Sequence, residues 1–406
     1  MKIRQYSWTF ILSVALGGCA TTRDTQVQPA STARCSTESV ALDTDFPTGN
    51  IASCETAAPN QIAIKIDPED APPINCSAWY AFRLTPQKAG MITISLNYEF
   101  CGHRYWPKIS TDGQTWKPVE EEAVVISELD GTKQATFTVH HDNTPLFVAG
   151  QEIVAPSDYE AWLDQIGNSP DVKRWILGKS LEGRDIPATR IMASGTEPRK
   201  QIILIGRQHP PEITGALAMF AFVETLLSDE PLARDFRTQY ETVLVPMLNP
   251  DGVVRGHWRH NMGHTDLNRD WGPFEQPETR LMNDYLEKIA KNPEKELQLL
   301  VDFHSTHHDI FYTIPDDYPT NPPFLIRNWL NRLGTRMPDY PINRDANHNL
   351  DQSNSKNYVY SKYGAPTVTF EIGDETDRSQ IKKIGREAAL ALMETMLEKT
   401  LSAEKK

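Results

Sequence analysis

After residue 156 the chain alternates short apolar runs with helix-length amphipathic stretches, and that rhythm admits few folds. The runs at 201–206, 241–247, 297–302 and 367–370 read as strands, and the stretches 212–228, 276–290, 323–336 and 377–401 read as helices. Strands that are apolar throughout and separated by helices are covered on both faces, which predicts an α/β domain whose mainly parallel or mixed sheet is flanked by helices. Between 46 and 155 the texture differs. Residues 61–66, 79–84, 91–98 and 135–140 alternate apolar with polar positions, and Thr111-Asp112-Gly113 and Asp130-Gly131 are turn signals. A period of two without helical periodicity predicts a small all-β sandwich. No internal repeat is present.

The cysteines divide the chain in the same place. They fall at positions 19, 35, 54, 76 and 101, and residues 102–406 contain none. Cys35, Cys54, Cys76 and Cys101 can pair in an oxidising compartment, and three pairings are open. They lack any Cys-x-x-Cys spacing, which argues against a zinc site built from them. Cys19 has a different setting. Lys2 and Arg4 precede an apolar stretch at 6–16 that is too short to span a bilayer as a helix, so residues 1–18 read as a secretory signal. Leu16-Gly17-Gly18-Cys19 resembles a bacterial lipobox. That resemblance implies lipidation of Cys19 and membrane attachment by a lipid anchor, in a periplasm-facing lipoprotein of the bacterial cell envelope. Ala20 after the cysteine implies the outer membrane. Residues 19–45, rich in Thr, Ser, Ala, Gln and Asp, read as a flexible tether. The expected layout is therefore signal peptide 1–18, tether 19–45, β-sandwich 46–155 and catalytic domain 156–402.

Lys and Arg number 41 against 54 Asp and Glu, a net charge of −13, and removal of residues 1–18 makes it more negative by two. Such a surface excludes nucleic acid as a partner, because backbone binding needs a basic face.

Four polar clusters follow predicted strands, where sites form in open α/β sheets. His209-Pro210-Pro211-Glu212 follows the first run. An imidazole in a loop and a carboxylate in the next helical turn can reach one cation. Asp302-Phe303-His304-Ser305 ends another strand, and His304 completes a two-histidine, one-glutamate set suited to catalytic zinc. The stretch from Arg259 to Asp270, downstream of a turn at Asn249-Pro250-Asp251-Gly252, carries guanidinium and amide donors suited to carboxylates. Thr367-Val368-Thr369-Phe370-Glu371 buries a glutamate at the end of an apolar run, which is costly without a role.

Together these clusters resemble the zinc metallocarboxypeptidases, the carboxypeptidase A superfamily, over about residues 157–400. The preceding β region, the run from Gly178 to Asp185 and the Ser110–Trp116 turn are most similar to the cytosolic-carboxypeptidase branch, in which a β-sandwich precedes the peptidase. The resemblance implies one zinc per chain on His209, Glu212 and His304, with Asp266 holding the non-ligating nitrogen of His209. It implies that Asn268 and Arg269 clamp the substrate's terminal carboxylate and that Arg259 stabilises the oxyanion. Glu371 is implied as the general base that activates water and returns the proton to the leaving amine. Counting back from Glu371 in line with the pancreatic enzymes puts Lys356 in the pocket for the terminal side chain, which favours Asp or Glu there. Those enzymes carry a mobile tyrosine where this chain has residues 346–351 and no tyrosine; its role falls to His348 or to no residue. His307 and His308 are expected at the rim of the site.

The expected activity is hydrolysis of the C-terminal bond of peptides. The alternatives are the same zinc chemistry on peptidoglycan stem peptides, as a carboxypeptidase or amidase, a deacylase of small N-acyl amino acids, and an inactive lipoprotein that only holds peptides.

Overall fold

The structure, a computed structural model, describes residues 34–129 and 131–403. The signal segment 1–18, the lipobox with Cys19 and most of the expected tether lie outside the described residues.

The first layer pair is a β-sandwich. One sheet contains β1 (Arg34–Ser36) and β2 (Val40–Asp43), and the other contains β3 (Ser53–Ala58) and β4 (Gln61–Ile66). The chain continues through β5 (Ala81–Pro86), β6 (Gly90–Tyr98), β7 (Lys108–Ser110), β8 (Lys117–Pro118), β9 (Val124–Leu129), β10 (Thr132–His141) and β11 (Leu146–Ala149). The strand orders are β1-β2-β5-β11-β7-β8 and β3-β4-β6-β10-β9, antiparallel except for the parallel pair β4–β6. Alternate side chains fill the space between the sheets: Ile62, Ile64 and Ile66 from β4, and Ala135, Phe137 and Val139 from β10. The tether is thereby corrected at its C-terminal end. Val40 and Leu42 are buried in the sandwich core, so the domain starts by residue 34 rather than 46. The disulfides are Cys35–Cys54, which joins β1 to β3 across the two sheets, and Cys76–Cys101, which joins the segments before β5 and after β6.

The second part begins at α1 (Pro156–Gly167), followed by the hairpin β12 (Val172–Lys179) and β13 (Asp185–Ile191). Then come β14 (Lys200–Gly206), α2 (Ile213–Leu226), α3 (Pro231–Gln239), β15 (Tyr240–Val245), α4 (Pro250–Arg255) and α5 (Pro277–Lys291). The chain ends with β16 (Glu296–Thr306), β17 (Ile310–Thr313), α6 (Leu325–Arg336), β18 (Arg344–Asp345), α7 (Ser355–Tyr363), β19 (Thr367–Gly373) and α8 (Arg378–Ala403). The eight-stranded sheet runs β12-β13-β15-β14-β16-β19-β17-β18. Its four central strands are parallel, and antiparallel pairs join them to the flanking strands, so the sheet is mixed.

The apolar run of β14 explains the layering. Ile202 and Leu204 pack against α2, α6 and α8 on one face, while Ile203 and Ile205 pack against α5 and Val359 of α7 on the other. Parallel central strands bring the ends of β14, β16 and β19 to one edge, with His304 and Glu371 at paired positions of adjacent strands. The expected turn at Asn249–Gly252 is instead the start of α4. Asn249 caps it by accepting the Gly252 N–H at 2.9 Å, and Pro250 occupies the first turn, where its missing donor costs nothing. Buried Asp251 accepts the Ser180 hydroxyl at 2.7 Å, the Glu182 N–H at 2.8 Å and the Arg184 guanidinium at 2.7 Å. That is why the run around Ser180 and the segment at Asn249 belong to one structure.

Candidate active site

Residues 207–212 are buried between β14 and α2. Glu212 occupies the N-cap position of α2, yet its carboxylate makes no capping bond and turns to the histidines instead. Its Oε1 lies 2.8 Å from His209 Nδ1 and its Oε2 lies 2.7 Å from His304 Nδ1. Close packing of α2 on β16 makes this possible. A Cβ at Gly215 would stand 2.3 Å from the His304 carbonyl oxygen, and Ser305 Oγ accepts the Gly215 N–H at 2.9 Å.

The outer ring edges are committed to carboxylates. His209 Nε2 lies 2.9 Å from Asp266 Oδ1, and His304 Nε2 lies 2.9 Å from Asp302 Oδ2. A partner on one ring nitrogen selects the tautomer that leaves the other free to ligate. The inward donors of His209, Glu212 and His304 lie within 4.8 Å of one another and are buried. Two imidazoles, one carboxylate and anchored outer edges fit a catalytic zinc ion, with room for a further ligand.

The electrostatics follow this crowding. Burial opposes ionisation of Glu212, but the two imidazoles outweigh it and hold the carboxyl well below its usual range. Burial likewise opposes charge on Asp266, and His209 with Arg259 overcomes it, keeping the carboxyl ionised. Glu371 behaves differently. Burial, with Glu212 adding to it, pushes its carboxyl up to about 7 against the attraction of His304 and His209. Its Oε2 is buried and finds no hydrogen-bond partner among the described residues.

Arg259 donates from Nε and Nη2 to Asp266 Oδ2, each at 2.7 Å, and lies over the Trp258 ring. Asn268 Oδ1 accepts the Ser355 N–H at 3.0 Å, and its Nδ2 lies 3.4 Å from His304 Nε2. Among the described residues Arg269 donates only to the Asn268 backbone carbonyl, at 2.8 Å, and pairs with no carboxylate. Lys356 is buried in the first turn of α7, where its Nζ donates to Asn357 Oδ1 at 2.7 Å, again without an ion pair among the described residues. Burial lowers its ammonium pKa to about 8 against the field of Asp345. His348 senses both cations and stacks on Tyr312 with ring centroids 3.9 Å apart. His307 and His308 are exposed.

Residues 159–391 match the zinc carboxypeptidase family, and residues 42–149 match the cytosolic carboxypeptidase N-terminal domain. The chain belongs to the zinc carboxypeptidase family. It is 31% identical to cytosolic carboxypeptidase 6 of Mus musculus over 137 residues, 32% of this chain and 25% of that protein. It is 26% identical to an uncharacterized protein of Zymomonas mobilis over 330 residues, 75% of this chain and 81% of the relative. A metallo-carboxypeptidase structure from Burkholderia cenocepacia superposes with a TM-score of 0.72 at 19% identity, covering 88% of this chain and 99% of that one. The chain spans about a quarter of the length of the mouse relative.

This zinc carboxypeptidase fold brings three further groups to the site. Asp302 is signalled in the sequence only by its place in a strand-end Asp-x-His pattern with His304. Tyr312 shares a sheet face with Glu371 across the β17–β19 pair, and burial with Glu371 pushes its phenol up to about 12. Arg104 comes from the sandwich. Its Nε lies 2.9 Å from Asp374, and its Nη2 reaches the Ser305 carbonyl at 3.4 Å, next to His304. Nothing local in the sequence announces that contact.

Proposed function

We propose that this protein is a metallocarboxypeptidase that removes C-terminal residues from peptides and favours acidic ones. One arrangement carries the reading: the His209–Glu212–His304 set lies beside Glu371 of β19, and Asn268, which contacts both His304 and Ser355, brings next to it Arg269 and Lys356, two cations without ion-pair partners among the described residues.

A zinc ion held by His209, Glu212 and His304 supplies Lewis acidity toward a carbonyl and lowers the pKa of water. The residues of the chain divide the remaining work. Glu371, raised toward neutrality, accepts a proton from the attacking water and delivers it to the departing amine. Arg259 stays charged throughout and meets the negative charge that develops on the carbonyl oxygen. Arg269 and the Asn268 amide receive the terminal carboxylate. Lys356 receives an acidic side chain, which supplies the ion-pair partner it lacks among the described residues.

The test is release of amino acids from a peptide library varied at its C-terminus, with and without chelator. Release of Glu and Asp ahead of Lys and Leu, abolished by chelator and restored by zinc, is expected. Turnover unaffected by chelator would overturn the zinc reading, and equal release of all residues would overturn the acidic preference. Purified peptidoglycan belongs in the same panel, because stem peptides also end in a free carboxylate. Bound zinc without any turnover would favour a peptide-holding protein.

The same proposal includes an address. Leu16-Gly17-Gly18-Cys19 supports lipidation of Cys19 and a periplasm-facing lipoprotein on the outer membrane. Two disulfides support an oxidising compartment. Cys19→Ser is expected to block incorporation of labelled palmitate. Equal labelling of the variant would refute the anchor.

A further inference from the structure

The sandwich grips the loop that carries Arg259, and one carboxylate does most of the gripping. Glu69 lies in the segment after β4. Its Oε1 accepts the Trp258 N–H at 2.7 Å, and its Oε2 accepts those of Arg259 at 2.9 Å and His260 at 2.7 Å. Three consecutive backbone donors therefore converge on one side chain 189 to 191 residues earlier in the chain. Hydrogen bonds to an ionised acceptor are stronger than neutral ones, and three in a row define the path of the backbone. Neighbouring contacts point the same way. The Asn50 amide donates to the Gly256 carbonyl at 2.7 Å, and Trp258 is buried in the sandwich core with Nε1 2.8 Å from the Tyr105 hydroxyl.

We infer that Glu69 is a positioning residue for Arg259, so that the sandwich holds part of the reactive geometry. Arg259 has a long side chain, and Asp266 holds its guanidinium end. Glu69 holds the backbone end. With both ends held, the guanidinium keeps one position relative to His209, whose Nε2 shares the Asp266 carboxylate. With the backbone end free, the side chain gains freedom that the transition state must then remove. Displacements of about 1 Å at a catalytic group cost on the order of 10²-fold in rate. Glu69 itself touches neither the metal ligands nor Glu371, so its loss is expected in kcat rather than in zinc binding.

This inference rests on the carboxypeptidase reading, and the experiment separates the two. Glu69→Ala, Arg259→Ala and the double variant are prepared as the full chain alongside the parent. The expected result is zinc at one per chain in Glu69→Ala, kcat/KM lower by on the order of 10²-fold mainly through kcat, and little further loss in the double variant. Glu69→Gln, which keeps an acceptor oxygen but loses the charge, is expected between parent and Glu69→Ala. Hydrogen exchange at amides 258–260 gives a readout independent of turnover: at least tenfold faster in Glu69→Ala, with β4 and β6 amides unchanged. Multiplying losses in the double variant, or unchanged turnover in Glu69→Ala, would overturn the positioning role. Unchanged exchange at 258–260 would overturn the clamp itself. Should Glu69→Ala fail to fold, Glu69→Gln is judged by the same two readouts. A parent that cleaves no peptide refutes the carboxypeptidase reading, while the exchange measurement still decides the clamp.

Discussion

Asp302 meets His304 on the ring edge opposite Glu212, with Oδ2 2.9 Å from Nε2. The same oxygen accepts the Gln208 amide at 2.6 Å and the Ser355 hydroxyl, so the carboxylate is fixed from three sides. Burial works against a charged imidazole at His304, and the carboxylates of Asp302 and Glu212 overcome it and hold the ring's pKa well above its ordinary value in the metal-free protein. Asp302 therefore orients one histidine of the candidate metal group, as Asp266 orients the other.

Replacing that orienting group tests its role. Asp302→Asn is expected to weaken zinc binding by about 10- to 100-fold, measured by competition with a chromogenic chelator. Parent-like affinity would mean that packing alone orients His304.

Glu371→Gln keeps the shape of the side chain and removes its basicity. We expect kcat to fall by about 10²- to 10⁴-fold while zinc remains at one per chain. Metal analysis and steady-state kinetics on one preparation check this, and parent-like turnover would exclude Glu371 as the base.

The lowered pKa of Lys356, about 8, gives the specificity a pH signature. Below pH 8 the ammonium is charged in the free protein and can pair with an acidic terminal side chain; above it the charge is lost. The ratio of kcat/KM for Glu-ended over Ala-ended peptides is thus expected to fall as pH rises through about 8. Lys356→Met removes both the preference and its pH dependence, a loss of about 10- to 100-fold for a hydrogen bond between charged groups. A preference that survives the substitution would place the selecting cation elsewhere.

The disulfides act on the sandwich. Cys35–Cys54 and Cys76–Cys101 bridge sequence separations of 19 and 25 residues. Loops of that size restrict the unfolded chain enough to contribute roughly 3 kcal/mol each. Replacing either pair by serine is expected to lower the urea midpoint measured under non-reducing conditions. An unchanged midpoint would show that the bridge adds no stability.

Several elements were legible because their signal is local. The run at 201–206 became Lys200–Gly206, and the run at 61–66 became Gln61–Ile66, since a strand covered on both faces is apolar throughout and a half-covered one alternates. Weaker patterns hide their elements. In Val172–Lys179, a strand at the sheet edge, burial is partial and follows no strict period. In 34–43 the Ser, Thr and Asp residues mask Val40 and Leu42. At Pro250–Arg255, proline and glycine suggested a turn where a capped helix forms.

The β-then-α/β order and the residues of the His209–Glu212–His304 group were legible in the sequence itself, because polar clusters and burial patterns are carried by short stretches of chain. The tertiary structure alone decided which cysteines pair, that Asp302 orients His304, and that Arg104 and Glu69 reach the active-site loops from the sandwich. Those contacts join residues whose sequence separations range from 2 to 201, and only the seating of the sandwich beside the α/β domain brings the most distant ones together. Periodicity reports which face of an element is buried; it carries no record of the partner that buries it.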